Sequence, residues 1–468
     1  MTVANINRFI QHLHAAFEGL RADVPMPAIE AMAVLVHSAM ESPRRRYHCS
    51  EHALYMCEGM SPRQVLAAVF HDLVYYQLDD GFPARVTHFL TPLVSKQKDD
   101  LVLLKVSDQD SAMQLCFQIF GFRAGQVLPL FRGMNEFLSA AVAVRLLEPY
   151  LALPDLIAVV ACIEATVPFR SPQSDGQDCC DLLASRVREQ ASLRLGLSDA
   201  AALAAYTDSV MCDAIAIANR DVGGFAEPSP AKFVSATWLL IEESNAPLAA
   251  VGVYTLRDYR EALTRMQVFL QGLLPERVFH HYAGFPQAGE FERLTAAAAS
   301  NIAFALSFLQ LKMTSISIIE ALALETAGNC PVSMFLGDIR SASGTPERVE
   351  DYLPTGPHVK GLDTQILQVL EKGRPADSRN DLTISPLTAY MYRCLGAASS
   401  AMALANAQQM ANGSLRPAQF LATLPTDMLS SMIDACARIA ISRRDSLVLL
   451  KASLKKQVIT DADHDAAS

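Results

Sequence analysis

The sequence predicts an all-α fold, and three observations support that prediction. Apolar residues recur at three- and four-residue spacing through most of the chain, which is the periodicity of amphipathic helices. Proline and glycine interrupt these runs where helices are expected to begin or end, as at Pro25 and Gly223. With 51% apolar and 19% charged residues, the chain has ample material for a large core. Its 468 residues are enough for one to three domains.

The first predicted helix covers residues 3–21 and shows this periodicity well. Its apolar face carries Ile6, Phe9, Ile10, Leu13, Phe17 and Leu20. The helix predicted over 62–76 begins at Ser61 and Pro62, because serine caps helices and proline is favoured at the first helical position. The same reasoning predicts further helices at 28–40, 44–58, 134–150, 154–167, 178–194, 198–218, 229–241, 289–311, 313–327, 362–372, 386–411, 416–423 and 425–442.

One segment, at about 84–133, departs from the helical pattern. Apolar stretches rich in Thr, Val and Phe run from Val86 to Val106, and Leu101 to Leu104 has the composition of a strand. We therefore expect a short insert here that includes a small β-hairpin. The predicted organisation is a first domain over 1–258 with this insert, a C-terminal helical domain over 259–459, and a flexible tail over 460–468.

Two short runs concentrate chemically active residues. The first is Arg45-Arg46-Tyr47-His48-Cys49-Ser50-Glu51-His52, and the second is Phe70-His71-Asp72-Leu73-Val74-Tyr75. Histidines four residues apart share a face of a helix. A carboxylate at the end of an apolar run is costly to bury unless something pairs with it, and a metal ion would do so. Two imidazoles and a carboxylate suit Fe, Mn, Co or Zn. Any one of these histidines alone is more typical of a core or surface position, so the prediction depends on their combination.

These motifs resemble those of the HD superfamily of metal-dependent phosphohydrolases. The likeness is greatest to a branch that carries Tyr-His-x-x-x-His and Phe-His-Asp-x-Val-Tyr. Two later segments fit the order of motifs in that branch, and the resemblance covers roughly residues 30–225. These segments are Asn135-Glu136-Phe137-Leu138-Ser139-Ala140 and Ile163-Glu164-Ala165-Thr166.

The resemblance implies an HD-type helical bundle that binds a divalent metal ion, with Mn, Fe, Co, Ni, Zn and Mg as candidates. The ligands that it implies are His48, His71, Asp72 and Asp213, with Asp208 and Asp221 as competitors for the last position. His52 would be a further ligand or a phosphate contact. The family's histidine after the Ile-x-Ala-Thr helix is absent, since the chain continues Val167-Pro168-Phe169-Arg170.

The function implied is hydrolysis of a nucleotide or other small phosphate ester by a metal-activated water. In that mechanism His52 donates a proton or clamps the phosphate, and Arg45 or Arg46 neutralises developing charge. Glu136 and Glu164 would orient the metal ligands or the water. Two alternatives stay open. One is a non-catalytic HD-like signalling or protein-interaction module, and the other is an HD-type diiron oxygenase, against which the absent histidine counts.

Composition and missing motifs narrow the field of functions. The net charge of −10 predicts no general affinity for nucleic acid or anionic membranes. Nucleotide P-loop, dinucleotide and serine-hydrolase signatures are absent. Ten scattered cysteines without a C-x-x-C motif, and no signal peptide, predict a reduced cytoplasmic protein. We expect a small phosphorylated substrate as the partner, and homo-oligomers are compatible with the apolar second half. The aromatic and histidine cluster over 279–286 is interpreted as packing against the first domain.

Overall fold

The computed structural model describes residues 3–98, 100–130, 132–172, 174, 176–339, 345–357, 359–375 and 381–465, with side chains as far as Leu454. Within these residues the chain forms nineteen α-helices and one two-stranded sheet. The predicted all-α fold with a small hairpin insert is therefore confirmed. The chain divides into two compact units, and each consists of two segments: Met1–Glu227 with Leu273–Ala299, and Pro228–Gly272 with Ser300–Ser468. The predicted division at 258 falls inside the second unit.

The first unit carries both sequence motifs. Its helices and strands are α1 (Asn5–Gly19), α2 (Met26–Met40), α3 (Ser50–Cys57), α4 (Pro62–Phe70), α5 (Thr87–Leu90), β1 (Val94–Gln97), β2 (Asp100–Leu103), α6 (Ser111–Phe120), α7 (Met134–Leu147), α8 (Leu153–Ala165), α9 (Cys179–Leu195) and α10 (Ala200–Asp221). A 3-10 helix, Val222–Ala226, continues directly from α10.

The core of this unit forms around α8, in which every residue from Leu156 to Ala165 is buried. A helix that is buried on all sides lies in the middle of a bundle, and α8 packs against α4, α7, α9 and α10. Helix α4, which packs against α8, is almost as deeply buried. It starts with a capping box, in which the backbone N–H of Ser61 donates to Gln64 Oε1 at 2.8 Å. This burial carries the His71-Asp72 doublet at the end of α4 into the interior.

The insert contains the predicted hairpin. Strands β1 and β2 pair antiparallel, with Val94 opposite Leu103 and Gln97 opposite Asp100. Lys98, in the turn, has a φ of 57°. Leu101 and Leu103 are buried while Asp100 is exposed, so one face of this strand packs inward.

Four predicted helices have different bounds in the structure. The helix expected over 44–58 begins only at Ser50, so His48 precedes it and does not share a helical face with His52. The helix expected over 62–76 ends at Phe70, and His71 caps it. Residues 71–80 instead form turns, because two other elements bind their backbone as described below. The helices expected over 289–311 and 313–327 form one continuous helix.

The described part of the second unit consists of helices, with isolated β-bridges between Thr255 and Pro331 and between Gly337 and Arg348. Its elements are α11 (Pro230–Ser244), α12 (Leu256–Gly272), α13 (Ala288–Thr326), which begins in the first unit, α14 (Ser333–Leu336), α15 (Thr364–Lys372), α16 (Pro386–Ala411), α17 (Pro417–Ala422), α18 (Thr426–Ile439) and α19 (Arg444–Asp465). Among its most deeply buried side chains are Trp238, Phe308, Phe335 and Phe420.

Two helical stretches among the described residues are long and apolar enough to cross a membrane by length and composition alone. They are Ala200–Ala226 and Ala288–Thr326. In Ala288–Thr326, 78% of the most apolar 18-residue stretch is buried within the protein. Core helices of soluble proteins have the same property.

Candidate metal centre

His71 and Asp72 lie at the buried end of α4, with residue exposures of 1% and 9%. The Nδ1 atom of His71 lies 2.9 Å from the carbonyl oxygen of Ala68. Because a carbonyl only accepts hydrogen bonds, Nδ1 carries the hydrogen, and Nε2 has the lone pair in the neutral ring. That atom is buried and has no hydrogen-bond partner among the described residues. It faces Asp72 Oδ2 at 3.0 Å and Asp221 Oδ1 at 3.6 Å.

His52 and Asp221 complete this group of side chains. His52, on α3, places Nε2 3.0 Å from Asp221 Oδ1 and 3.9 Å from Asp72 Oδ2. Asp221 is the last residue of α10. The ring centroids of His52 and His71 are 5.6 Å apart. Three separate helices thus bring two imidazoles and two carboxylates together.

The electrostatics of the group favour a cation at its centre. Burial raises the pKa of Asp72, but the charges of the neighbouring histidines outweigh burial and hold it well below its usual range. Burial also raises the pKa of Asp221, but the hydrogen bond with His52 and the charges of His52 and His71 outweigh burial and lower it to about 2. Burial lowers the pKa of His71, and the two carboxylates raise it well above 6.5. A proton on His71 or a metal ion must therefore offset the negative charge.

These residues fit a divalent metal ion. His52, His71 and Asp72 each offer one ligand atom, and the three atoms lie within 4.8 Å of one another. Two ligand atoms about 2.1 Å from one ion, at right angles, lie roughly 3 Å apart. The separations of 3.0 Å between His71 and Asp72, and between His52 and Asp221, match that value. A histidine with Nδ1–H bound to a backbone carbonyl and Nε2 directed to the site is the usual arrangement of a metal ligand.

His48, a predicted ligand, is at the edge of this group. Its ring centroid lies 4.9 Å from that of Tyr47, 5.0 Å from that of Tyr75 and 5.9 Å from that of His52. The compact group of ligand atoms among the described residues contains His52 in its place. His48 acts on the site through its charge, which contributes to the lowered pKa of Asp72.

The structure differs most clearly from the sequence prediction at Asp213, which was the predicted last ligand. Its carboxylate accepts a hydrogen bond from Ser61 Oγ at 3.1 Å and lies 3.7 Å from Arg63, both at the start of α4. The two histidines instead contact Asp221, which is nearer the end of the same helix. The last carboxylate of the site is therefore Asp221 and not Asp213. Asp221 was one of the competing positions, and the glycines after it were the sequence signal, since a helix ends there.

Arg45 has a positioning role that the sequence did not indicate. Its side chain is fully buried and binds Asp79 through Nε at 3.1 Å and Nη2 at 2.7 Å. Nη1 donates to the carbonyl oxygen of Asp72 at 2.6 Å, and Nη2 to that of Leu73 at 3.3 Å. The guanidinium thus satisfies two carbonyl groups of the turn that follows α4. These contacts leave Arg45 no route to a substrate phosphate, whereas Arg46 is half-buried beside it.

The start of α7 supports the same loop from the other side. Asn135 Oδ1 accepts the backbone N–H of Tyr76 at 3.0 Å, and Ser139 Oγ accepts that of Val74 at 2.9 Å. Between them, Glu136 is half-buried and near enough to Asp72 and Asp221 for their charges to act on it. Burial, together with the charges of Asp72 and Asp221, raises the pKa of Glu136 to about 7.

Glu164 lies apart from the metal ligands. It is buried and accepts hydrogen bonds from Arg170 at 2.6 Å and from Arg186 at 3.2 Å. The predicted role in orienting metal ligands is therefore not supported by its contacts. It fixes the segment after α8 to α9 instead.

An open cavity of about 270 Å³ adjoins the loop that follows the doublet. Its lining includes Tyr76 and Asp80 from that loop, Lys96 from the hairpin, and Met134 at the start of α7. The insert thus forms part of the wall of this cavity, together with the loop after α4 and the first residue of α7.

Comparisons of the chain with protein-family models, with curated proteins and with solved structures gave no match.

Proposed function

We propose that this protein is a metal-dependent phosphohydrolase that acts on a small phosphate ester. The observation that carries the proposal is the orientation of His71. Its Nδ1–H is held by the carbonyl of Ala68, and its buried Nε2 faces two carboxylates without a hydrogen-bond partner among the described residues. Together with His52, these side chains form a ligand set for one divalent ion.

A divalent ion held by His52, His71, Asp72 and Asp221 would polarise a phosphoryl oxygen and supply hydroxide near neutral pH. The remaining residues have separate tasks. Arg45, Asn135 and Ser139 fix the loop that carries Asp72, and so hold the carboxylate in position. That support limits the movement of the ligands and lowers the reorganisation needed in the reaction.

Glu136 is the residue best suited to transfer a proton. With a pKa of about 7 in the metal-free protein, it holds a proton in a large fraction of those molecules at neutral pH. An ordinary glutamate would be ionised there. In the proposed reaction Glu136 donates its proton to the leaving oxygen. His52, predicted from the sequence for this task, is instead hydrogen-bonded to Asp221 within the ligand group.

Phosphate is proposed as the reacting group because the two motifs resemble those of HD phosphohydrolases. The open cavity beside Tyr76 and Met134 supports a substrate with a body beyond the phosphate, such as a nucleotide. Arg46 remains the predicted phosphate contact.

The test begins with elemental analysis of the untagged protein and of the His71→Ala/Asp72→Ala variant. Asp213→Asn is the matched control, since it removes a carboxylate of the same helix α10 that does not contact the histidines. We expect the double variant to hold about one metal ion per chain fewer than the wild type and the control. Equal metal content in all three after reconstitution would refute the metal centre.

Activity is then measured on nitrophenyl phosphate mono- and diesters and on a panel of nucleotides. Hydrolysis should require the metal and fall to background in His71→Ala/Asp72→Ala. Stoichiometric metal without turnover of any phosphate ester would contradict the phosphohydrolase proposal, and would favour the non-catalytic module.

A further inference from the structure

A second group of ligating side chains lies outside the proposed active site. Cys179 and Cys180 are the first two residues of α9, and His280 belongs to the segment 273–299 that returns to the first unit. One ligand atom from each of the three lies within 4.8 Å of the others. The Sγ atom of Cys179 is 3.7 Å from Nδ1 of His280, although 101 positions separate them in the chain.

We propose that Cys179, Cys180 and His280 form a zinc site with three protein ligands and a fourth position open to solvent. Zinc binds thiolate sulfur at about 2.3 Å and imidazole nitrogen at about 2.0–2.1 Å in tetrahedral geometry. Those bond lengths place sulfur and nitrogen roughly 3.6 Å apart. The observed 3.7 Å separation is close to that value. Cys179 and His280 are half-buried, so a metal ion and a water molecule have access.

Both sides of this site are held in place by other residues. Asp178 caps α9, and its Oδ1 accepts the backbone N–H of Cys180 at 2.8 Å and that of Asp181 at 2.9 Å. The cap fixes the first turn of the helix and so restricts where the sulfurs lie. His280 is fixed by Asn219, which accepts its backbone N–H at 2.7 Å and donates to its carbonyl at 2.9 Å.

The charges near the cluster are compatible with zinc. Two thiolates and one neutral imidazole offset the charge of Zn²⁺. The guanidinium of Arg170 interacts electrostatically with both sulfurs, which favours the thiolate forms needed for binding. Arg170 is itself paired with the buried carboxylate of Glu164 at 2.6 Å. The site therefore does not place zinc beside an unbalanced cation.

Zinc at this position would join two distant parts of one unit. The link runs from the start of α9 to the returning segment 273–299, and Asn219 ties that segment to α10 just before Asp221. A cross-link that closes a long loop reduces the conformational freedom of the unfolded chain. We therefore infer that zinc stabilises the returning segment against local opening.

The test uses full-length protein, stripped of metal and titrated with Co²⁺. To silence the first site, the titration is repeated in the His71→Ala/Asp72→Ala background. Thiolate ligands give an intense near-ultraviolet charge-transfer band on Co²⁺ that nitrogen and oxygen ligands do not give. We expect this band in both proteins, with about one Co²⁺ per chain in the double variant, and we expect Zn²⁺ to displace it.

The ligands are assigned with Cys179→Ser/Cys180→Ser, and Cys212→Ser is the matched control because Cys212 is an exposed cysteine outside the cluster. The band should disappear in the first variant and persist in the control. Zinc should also protect Cys179 from alkylation in the wild-type protein, as mapped by mass spectrometry, which does not require any variant to fold. No band in the wild type, a band that survives the double serine variant, or alkylation unaffected by zinc would overturn the proposal. Since the band reports thiolates alone, none of these outcomes depends on the phosphohydrolase function.

Discussion

The choice between two aspartates on α10 shows what a residue-level prediction lacks. Asp213 and Asp221 lie about two helical turns apart, which is roughly 12 Å along the axis. Asp213 follows the apolar Met211 and Cys212, whereas Asp221 follows Asn219 and Arg220 and precedes two glycines, and neither pattern shows which carboxylate the histidines contact. Only the packing of α10 against α3 and α4 determines that Asp221 reaches His52 and His71, while Asp213 reaches Ser61 and Arg63.

We predict that Asp221→Asn weakens metal binding by more than about 100-fold, because removal of groups that only support metal ligands already costs 10- to 100-fold. Asp213→Asn should bind metal as the wild type does. Isothermal titration of the metal-free proteins measures both. The reverse order of affinities would return the last ligand to Asp213 and would disprove the arrangement described above.

Glu136 leads to a prediction about pH. Its pKa is about 7 in the folded protein and near 4.5 when unfolded, so the folded state binds the proton more tightly. This contribution to stability is fully present below pH 4.5 and is lost as the pH rises through 7. In the metal-free protein, the free energy of unfolding of the wild type should therefore fall between about pH 5 and pH 8. Glu136→Gln should not show this fall. Urea unfolding at a series of pH values measures the difference between the two proteins.

A bound divalent ion should reduce the difference in pH dependence between wild type and Glu136→Gln. A nearby positive charge favours the ionised carboxylate and so lowers the pKa of Glu136. Glu136→Asp is the control for the loss of a titrating group at this position. If wild type and Glu136→Gln show parallel pH profiles without metal, Glu136 has an ordinary pKa and is not the proton donor.

At the level of elements, the loop after α4 explains why some motif residues were predicted with the wrong role. Arg45 was expected to contact phosphate, yet it binds Asp79 and the carbonyl groups of Asp72 and Leu73. Ser139 belonged to a recognised motif, but its partner is the backbone of Val74. Sequence patterns identify residues that matter to a site. They do not separate a side chain that touches substrate from one that holds a neighbouring backbone.

We predict that Ser139→Ala destabilises the protein by about 1–3 kcal/mol. Ser139 is fully buried, and its removal leaves the backbone N–H of Val74 without its partner. Ser38→Ala is the matched control, since the exposed Ser38 bonds only to the carbonyl of Leu35 in its own helix. That variant should stay within about 0.5 kcal/mol of the wild type in denaturant unfolding. Equal, small effects would show that α7 does not hold the doublet loop.

At the scale of the whole molecule, sequence reasoning predicted two helical parts but not how the chain is shared between them. The chain leaves the first unit after Glu227 and returns over residues 273–299. Long-range contacts hold the returning segment, such as the paired hydrogen bonds between Asn219 and His280 and the packing of Tyr282 on the core. No local propensity encodes such contacts. In the sequence, only the aromatic and histidine cluster over 279–286 pointed to these contacts. Its interpretation as packing against the first domain agrees with the contact between Tyr282 and the core of the first unit.

The distribution of tryptophan makes the two units experimentally separable. The chain has one tryptophan, Trp238, which lies in the second unit. It is 1% exposed, packs against Phe308 and lies beneath the guanidinium of Arg374 at 4.1 Å from the ring centroid. Its fluorescence therefore reports unfolding of the second unit, whereas far-ultraviolet circular dichroism reports helices of both.

We predict that metal raises the thermal transition of the first unit alone. At a metal concentration of about 100 times Kd, binding contributes about 2.7 kcal/mol, which corresponds to a rise of roughly 5–10 °C for a unit of this size. The circular dichroism transition should split or shift upward with metal, and the Trp238 transition should stay unchanged. The His71→Ala/Asp72→Ala variant should show no shift from the metal candidates other than zinc. If the fluorescence transition moves together with the dichroism transition, the two units unfold as one cooperative block. Metal binding would then raise the thermal stability of the whole chain.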